Sequence, residues 1–170
     1  DMSKAYDRLE WKFFEAVLRR FGFHEVFCVW IMSCITTVTY SVLFNGEVQG
    51  MIYPTRGIRQ GDPLSPYIFI LCSEVLSGLC MEAQRRGSLA GVRVARASPR
   101  INHLLFADDT MFFAKTTISS VNALKEVLKK YEAASGQMIN TEKSAITFSK
   151  KAPAEVRERV KECLGIAKEG

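Results

Sequence analysis

Asp108 and Asp109 stand side by side in the middle of an apolar run, Asn102–Lys115, with Leu104, Leu105 and Phe106 leading in and Met111, Phe112, Phe113 and Ala114 leading out. An ionised carboxylate among apolar neighbours is costly unless it is paired, hydrogen-bonded or bound to a cation, and two adjacent ones also repel. The residues admit two readings: an exposed hairpin turn, in which Asp is favoured, or a pair held at a divalent metal. Two other segments bear on the choice. Asp1-Met2-Ser3-Lys4-Ala5-Tyr6-Asp7 sets a carboxylate ahead of an aromatic ring in a polar stretch that enters a helix, and Asp7 by itself reads as the cap of that helix. Gly57-Ile58-Arg59-Gln60-Gly61-Asp62-Pro63-Leu64-Ser65-Pro66 combines glycines, which let backbone approach a ligand, with Arg59 and Gln60, which can bond phosphate, sugar or base. The plainer reading of that stretch is a Gly/Pro loop before a helix. Together Asp1, Asp108 and Asp109 would supply the carboxylates of a two-metal site. In such a site hard cations about 3.5–4 Å apart activate an attacking oxygen and stabilise a leaving one.

The elements that must position these residues are legible from periodicity. Leu9, Phe13, Val17, Leu18 and Phe21 recur at helical spacing over Arg8–Phe21, with Gly22 as a stop. Glu25–Cys34 is apolar almost all round, which predicts a buried helix. Thr36–Tyr53 changes to strand formers around Asn45-Gly46, a strong hairpin signal. Pro54–Pro66 is a loop, and Ser65 and Pro66 are expected to cap and open a helix that runs to about Arg86 with Ile68, Cys72, Val75, Leu76, Leu79 and Cys80 on one face. Gly91–Arg96 reads as an exposed strand. A helix follows over Ser120–Ala134, with Val121, Leu124, Leu128 and Tyr131 inward and Gly136 as its cap. A short strand is expected near Ala145–Phe148, and a last helix from Pro153 to Gly165 with Val156 and Val160 inward. The irregular alternation with two tight hairpins predicts an α+β fold, an antiparallel sheet with helices packed on one face.

Composition narrows the class. With 170 residues, 48% hydrophobic and 24% charged, the chain is long enough for one packed domain, which argues against wholesale disorder. A net charge of +5 permits a polyanionic partner without requiring one. The five cysteines form no Cys-x-x-Cys pair, so an intracellular, reducing setting without a zinc site is expected, nucleus or cytoplasm unresolved. Phe27–Ile35 is the longest apolar candidate, short of a membrane span, and no membrane association is expected. The chain opens on Asp1 rather than Met, and is expected to be part of a longer protein.

The three segments, in this order and spacing, resemble the reverse transcriptases of LINE-type non-LTR retrotransposons, especially those of plants, with group II intron reverse transcriptases as more distant relatives. Asp-x-x-x-Ala-Tyr-Asp is similar to the first palm motif of that family, Gly-Ile-Arg-Gln-Gly-Asp-Pro-Leu-Ser-Pro to the second and Phe-Ala-Asp-Asp to the third. Gly136-Gln137-Met138-Ile139-Asn140 followed by Lys143-Ser144 resembles a fourth. The resemblance implies a polymerase palm over residues 1–150, with 151–170 beginning the connection to a thumb. It implies an RNA-directed DNA polymerase, a nucleotidyltransferase that adds deoxynucleotides to a DNA primer on an RNA template. Asp1, Asp108 and Asp109 would then be catalytic and would ligate two Mg²⁺ ions, with Mn²⁺ an alternative. Tyr6 would be the steric gate against a ribose 2′-hydroxyl. Gln60 and Gly61 would contact the incoming nucleotide and templating pair. Lys143 matches a lysine near the triphosphate, its alternative being a solvated lysine beside a turn. The fingers would precede Asp1 and most of the thumb would follow, so the isolated chain is expected to show little or no polymerase activity. An inactive retroelement remnant, or a nucleic-acid-binding module without catalysis, are the competing functions.

Overall fold

Apolar residues recur at helical spacing between Ser65 and Arg85, and there the chain forms its longest helix. A computed structural model describes residues 1–170. Numbered in chain order, the helices are α1 (Ala5–Arg8), α2 (Trp11–Arg20), α3 (Glu25–Thr36), α4 (Ser65–Arg85), α5 (Ile118–Ser135) and α6 (Ala154–Leu164). The strands are β1 (Tyr40–Phe44), β2 (Glu47–Ile52), β3 (His103–Phe106) and β4 (Asp109–Phe112). In α4, Ile68, Phe69, Cys72, Leu76, Cys80 and Ala83 form a buried stripe, packed against α2, α5 and β3. Burying each large aliphatic side chain there contributes about 1.5–3 kcal/mol. By length and composition alone α4, rather than the shorter Phe27–Ile35, could cross a membrane; its buried stripe packs on neighbouring elements, as in a core helix. Phe14, Val17 and Leu18 of α2 and Val121, Leu124, Val127 and Tyr131 of α5 complete the core. Phe13 meets the Tyr131 ring edge-on at 6.0 Å, and α6 closes on α5 through Val160.

Several expectations are corrected. The helix expected over Arg8–Phe21 forms as α2 and starts only at Trp11, because Leu9 and Glu10 are extended and part it from the short α1. Their main-chain groups are claimed from outside: Gly57 N–H donates to Leu9 O at 2.7 Å, and Glu10 N–H donates to Ser135 O at 2.9 Å. Asp7 therefore lies inside α1 and caps nothing; Glu10 holds the capping position of α2. Ser65 does not cap α4 either. It is the first helical residue and buried, while Asp62 Oδ1 accepts the Leu64 N–H at 2.7 Å. The helix expected over Glu25–Cys34 as a buried one extends to Thr36, and only Cys28 and Ile35 are buried; Val26, Phe27, Val29 and Trp30 are exposed, since α3 packs chiefly on α2.

Helices and antiparallel strands make the fold α+β, as expected, but the strands form two separate hairpins rather than one sheet. The β1–β2 hairpin turns on Asn45-Gly46, with φ of 48° and 85°, the turn geometry that matches the right-handed twist of the two strands. All its residues are exposed. Gly91–Arg96 is not a strand. It pairs only through Val92 and Ile101, after which Ala95 gives both main-chain groups to Ser98 in a turn. The strand near Ala145–Phe148 likewise shrinks to one bridge, Ile146 with Glu169.

The β3–β4 hairpin is anchored to α4 by a polar contact inside the fold. Asn102, buried, donates through Nδ2 to Cys80 O at 2.7 Å. Its Oδ1 lies 2.6 Å from His103 Nδ1, and His103 Nε2 lies 2.9 Å from Ser77 Oγ. Because Asn102 Oδ1 only accepts, Nδ1 carries the proton and Nε2 accepts from the Ser77 hydroxyl, a neutral ring. Burial holds the His103 pKa below its ordinary value, opposed by the charge of Glu74.

Two stability predictions follow from these contacts. Gly136 ends α5 at φ 74°, and a Cβ there would stand 2.5 Å from Arg8 O, whereas Gly22 at φ 82° has nothing within 4 Å. Urea unfolding should show Gly136→Ala losing about 2–4 kcal/mol and Gly22→Ala only about 1 kcal/mol; equal losses would refute the steric account. For His103, the folded state binds the proton less well than the unfolded state. Its stabilising contribution is present above the unfolded pKa near 6.5 and is lost as pH falls through the lower folded value. The stability difference between wild type and His103→Gln should shrink as pH is lowered from 7.5 through that window (about 6.5 downward), read from melting temperatures at constant ionic strength.

Candidate functional site

The N-terminal strip is held from two sides. Asp1-Met2-Ser3 runs antiparallel to Met138-Ile139-Asn140: Ser3 N–H donates to Met138 O at 2.7 Å, Asn140 N–H donates to Asp1 O at 3.0 Å, and Met2 pairs with Ile139. The turn that follows is fixed by Asn140 Oδ1, which accepts the Lys143 N–H at 3.1 Å. It brings the Lys143 ammonium to 4.0 Å from Asp1 Oδ2, a long, solvent-screened ion pair. Asp1 and Lys143, ends of two different motifs, are thus together. Gln137 reinforces the contact from inside the fold: it is buried and donates through Nε2 to Ala5 O at 2.7 Å.

On the other side the strip meets the second motif. Ile58 N–H donates to Tyr6 O at 2.9 Å, and Trp11 Nε1 donates to Gly57 O at 2.6 Å. Gly57 adopts φ 86°, and a Cβ there would lie 2.9 Å from Asp7 O, so no other residue fits that approach. The Tyr6 ring leans on Phe69 of α4 with centroids 5.4 Å apart. Gln60 and Gly61 are exposed farther along the same loop. Gln60, Arg59, Arg56 and Asp62 line a 530 Å³ cleft together with Ile35, Tyr40, Ile52, Asp7 and Gly57.

Asp108 and Asp109 are at the tip of the β3–β4 hairpin, where Phe106 pairs with Asp109 and Ala107 adopts φ 50°. The turn reading of this stretch is therefore met. The flanking apolar run is not buried throughout. Leu105 and Phe112 pack against the core, while Leu104 and Met111 are exposed and Phe106 is 82% exposed. Strand alternation puts every second residue outside. Both carboxylates are exposed, and none of the nine ion pairs uses them.

Asp1, Asp108 and Asp109 have the hard oxygen donors that suit Mg²⁺ or Mn²⁺. The structure holds no group of three or more His, Cys, Asp or Glu side chains close enough for a metal ion. It therefore brings Asp1 to Lys143 but does not gather Asp1 with the hairpin pair. Asn102, His103 and Ser77, which fix that hairpin, escaped the sequence reading. The signal available for them was a lone Asn at the edge of an apolar run.

Comparison with known proteins fits this motif set. The chain matches the family described as reverse transcriptase (RNA-dependent DNA polymerase) over residues 1–166. It is 69% identical over 68 residues to an uncharacterized mitochondrial protein of Arabidopsis thaliana, covering 40% of this chain and 56% of that protein. It is 30% identical over 146 residues to the retrovirus-related Pol polyprotein from type-1 retrotransposable element R2 of Popillia japonica, covering 85% and 23% respectively. With the transposon TX1 uncharacterized 149 kDa protein of Xenopus laevis the identity is 28% over 145 residues, covering 85% and 11%. The chain spans little more than half the length of the first of these relatives, 56%, and 23% and 11% of the other two. On a match that runs through all four motifs and nearly the whole chain, it belongs to the reverse transcriptase (RNA-dependent DNA polymerase) family.

Proposed function

We propose that this chain is the palm of an RNA-directed DNA polymerase, which in its parent protein adds deoxynucleotides to a primer 3′-hydroxyl on an RNA template. The observation that carries the reading is the stitching of Asp1–Glu10 between the second and fourth motif segments, which brings together residues up to 142 positions apart. Residues 151–170 then begin the connection toward a thumb, and the partners are RNA template, DNA primer, deoxynucleotides and the flanking subdomains. An intracellular setting goes with it, supported by five cysteines that are all free.

The roles follow from the side chains. Asp1, Asp108 and Asp109 are the carboxylates that would hold two Mg²⁺ ions. Such ions, when bound, supply acidification of the primer hydroxyl and charge neutralisation at the departing pyrophosphate. Tyr6, braced by Phe69, presents a ring held in place rather than a free rotor, the property a steric gate against a 2′-hydroxyl needs. Lys143, exposed beside Asp1, offers an ammonium to phosphate oxygens. Gln60 and Gly61 lie on the loop that borders the cleft, where Gln60 can hydrogen-bond a base or sugar and Gly61 lets backbone come close.

A nucleic-acid-binding module without catalysis is the second reading, favoured by the separation of Asp1 from the hairpin carboxylates. Primer extension on an RNA template by the chain extended upstream of Asp1 separates the two. In the polymerase reading Asp108→Ala lowers Mg²⁺-dependent extension by about 100-fold or more while template–primer binding persists; equal extension by both forms refutes it. Tyr6→Val should lower the preference for deoxy- over ribonucleotides by about 10-fold or more, measured as the ratio of kcat/KM values.

A further inference from the structure

The chain's net charge is +5, and it is concentrated in one place. Ala83–Ala107 contains five arginines, no lysine and no acidic residue, so the remainder of the chain is balanced. Arg85 and Arg86 both close on Glu82. Arg93, Arg96 and Arg100 are exposed and enter none of the nine ion pairs. The loop that carries them is pinned at both ends. Leu89 is fully buried, Val92 and Ile101 exchange two main-chain hydrogen bonds of 2.8 Å, and Gly91 lies so near Ile101 that a Cβ would stand 2.5 Å from its oxygen. Asn102 then ties the exit to α4. At the tip, Ala95 and Ser98 bond each other across Arg96 and Ala97, and Arg100 reaches Ala90 O at 3.3 Å.

We propose that this pinned arginine loop, Val92–Ile101, is a second nucleic-acid contact that grips backbone phosphates of the template–primer duplex away from the site of chemistry. The class of ligand rests on the polymerase reading above; the location rests on the charge and the fold. Guanidinium groups match phosphate oxygens in bidentate geometry, and a loop held at both ends keeps them displayed without further ordering. β3 separates the loop from the Asp108–Asp109 turn by four residues, about 13 Å of rise. At about 3.4 Å per nucleotide step, the phosphates gripped lie about four steps from the reacting end.

Fluorescence anisotropy with a labelled RNA–DNA hybrid and the full chain, without nucleotides, tests this across about 50–200 mM salt. The R93Q/R96Q/R100Q variant should bind about 10-fold more weakly and flatten the slope of log affinity against log salt by about 2–3. The charge-matched K129Q/K130Q/K150Q variant should keep an affinity within about 3-fold of wild type. Equal weakening by both triples overturns the proposal, because net charge alone would then explain the attraction. Loss of binding to phosphatidylserine vesicles with hybrid affinity intact overturns it too, in favour of a membrane surface. If the glutamine triple fails to fold, R93K/R96K/R100K must retain the wild-type salt slope, and a flattened slope there sinks the idea. The readout is binding, so failure of primer extension leaves this result standing, and failure here leaves the Asp108 test of catalysis untouched.

Discussion

Asp1 through Glu10 lie between two segments far apart in the sequence, and main-chain hydrogen bonds close on them from both. Gly57 and Ile58 donate to Leu9 and Tyr6 on one side; Ser3, Glu10 and Asn140 complete bonds with Met138, Ser135 and Asp1 on the other. Each such bond contributes only about 0.5–1.5 kcal/mol net, but a buried main-chain group left without one costs more. Local helical preference therefore yields. A pattern expected to be helical from Arg8 becomes so only from Trp11, with Leu9 and Glu10 extended so that their polar groups meet Gly57 and Ser135.

That constraint also assigns separate duties to the glycines of the second motif. Gly57 is needed by the protein itself, because the Asp7 and Tyr6 carbonyls occupy the space a side chain would take. Gly61 has the same left-handed backbone, φ 82°, but faces open space. Glycine's freedom to approach a ligand therefore applies to Gly61 and not to Gly57. One motif thus contains a residue that builds the site and another that leaves room in it.

Elements with a local signal were legible in the sequence: the Asn45-Gly46 hairpin, the stripe of α4, and the glycine end of α5. What escaped was settled at a distance. Ser65 has the chemistry of a cap, but it is buried as the first helical residue and no side chain caps α4; Asp62 fixes only the turn before it, at Leu64. The exposed apolar residues of α3 and of the β1–β2 hairpin follow from how few elements pack on them, which periodicity does not encode. Of the candidate site, Lys143 lies beside Asp1 and Ile58 bonds to Tyr6, contacts between segments that the motifs named separately and whose meeting no local pattern encodes. The Asn102–His103–Ser77 latch left no pattern, because a side chain reaching a carbonyl 22 residues away has no period.

The β3–β4 hairpin has charges of opposite sign at its two ends. Arg93, Arg96 and Arg100 enter at the start of β3, and Asp108 and Asp109 leave at its tip, with no ion pair between the groups. About 13 Å of strand exceeds the Debye length of about 8 Å at physiological salt, so the arginines do little to neutralise the carboxylates. The latch to α4 fixes the strand between them. A mobile hairpin could let an arginine fold onto the acidic turn and occupy it; a pinned one holds the two charge clusters apart. The same anchored strand thus fixes the spacing of both ends, and Asn102, His103 and Ser77 set that spacing from within the fold.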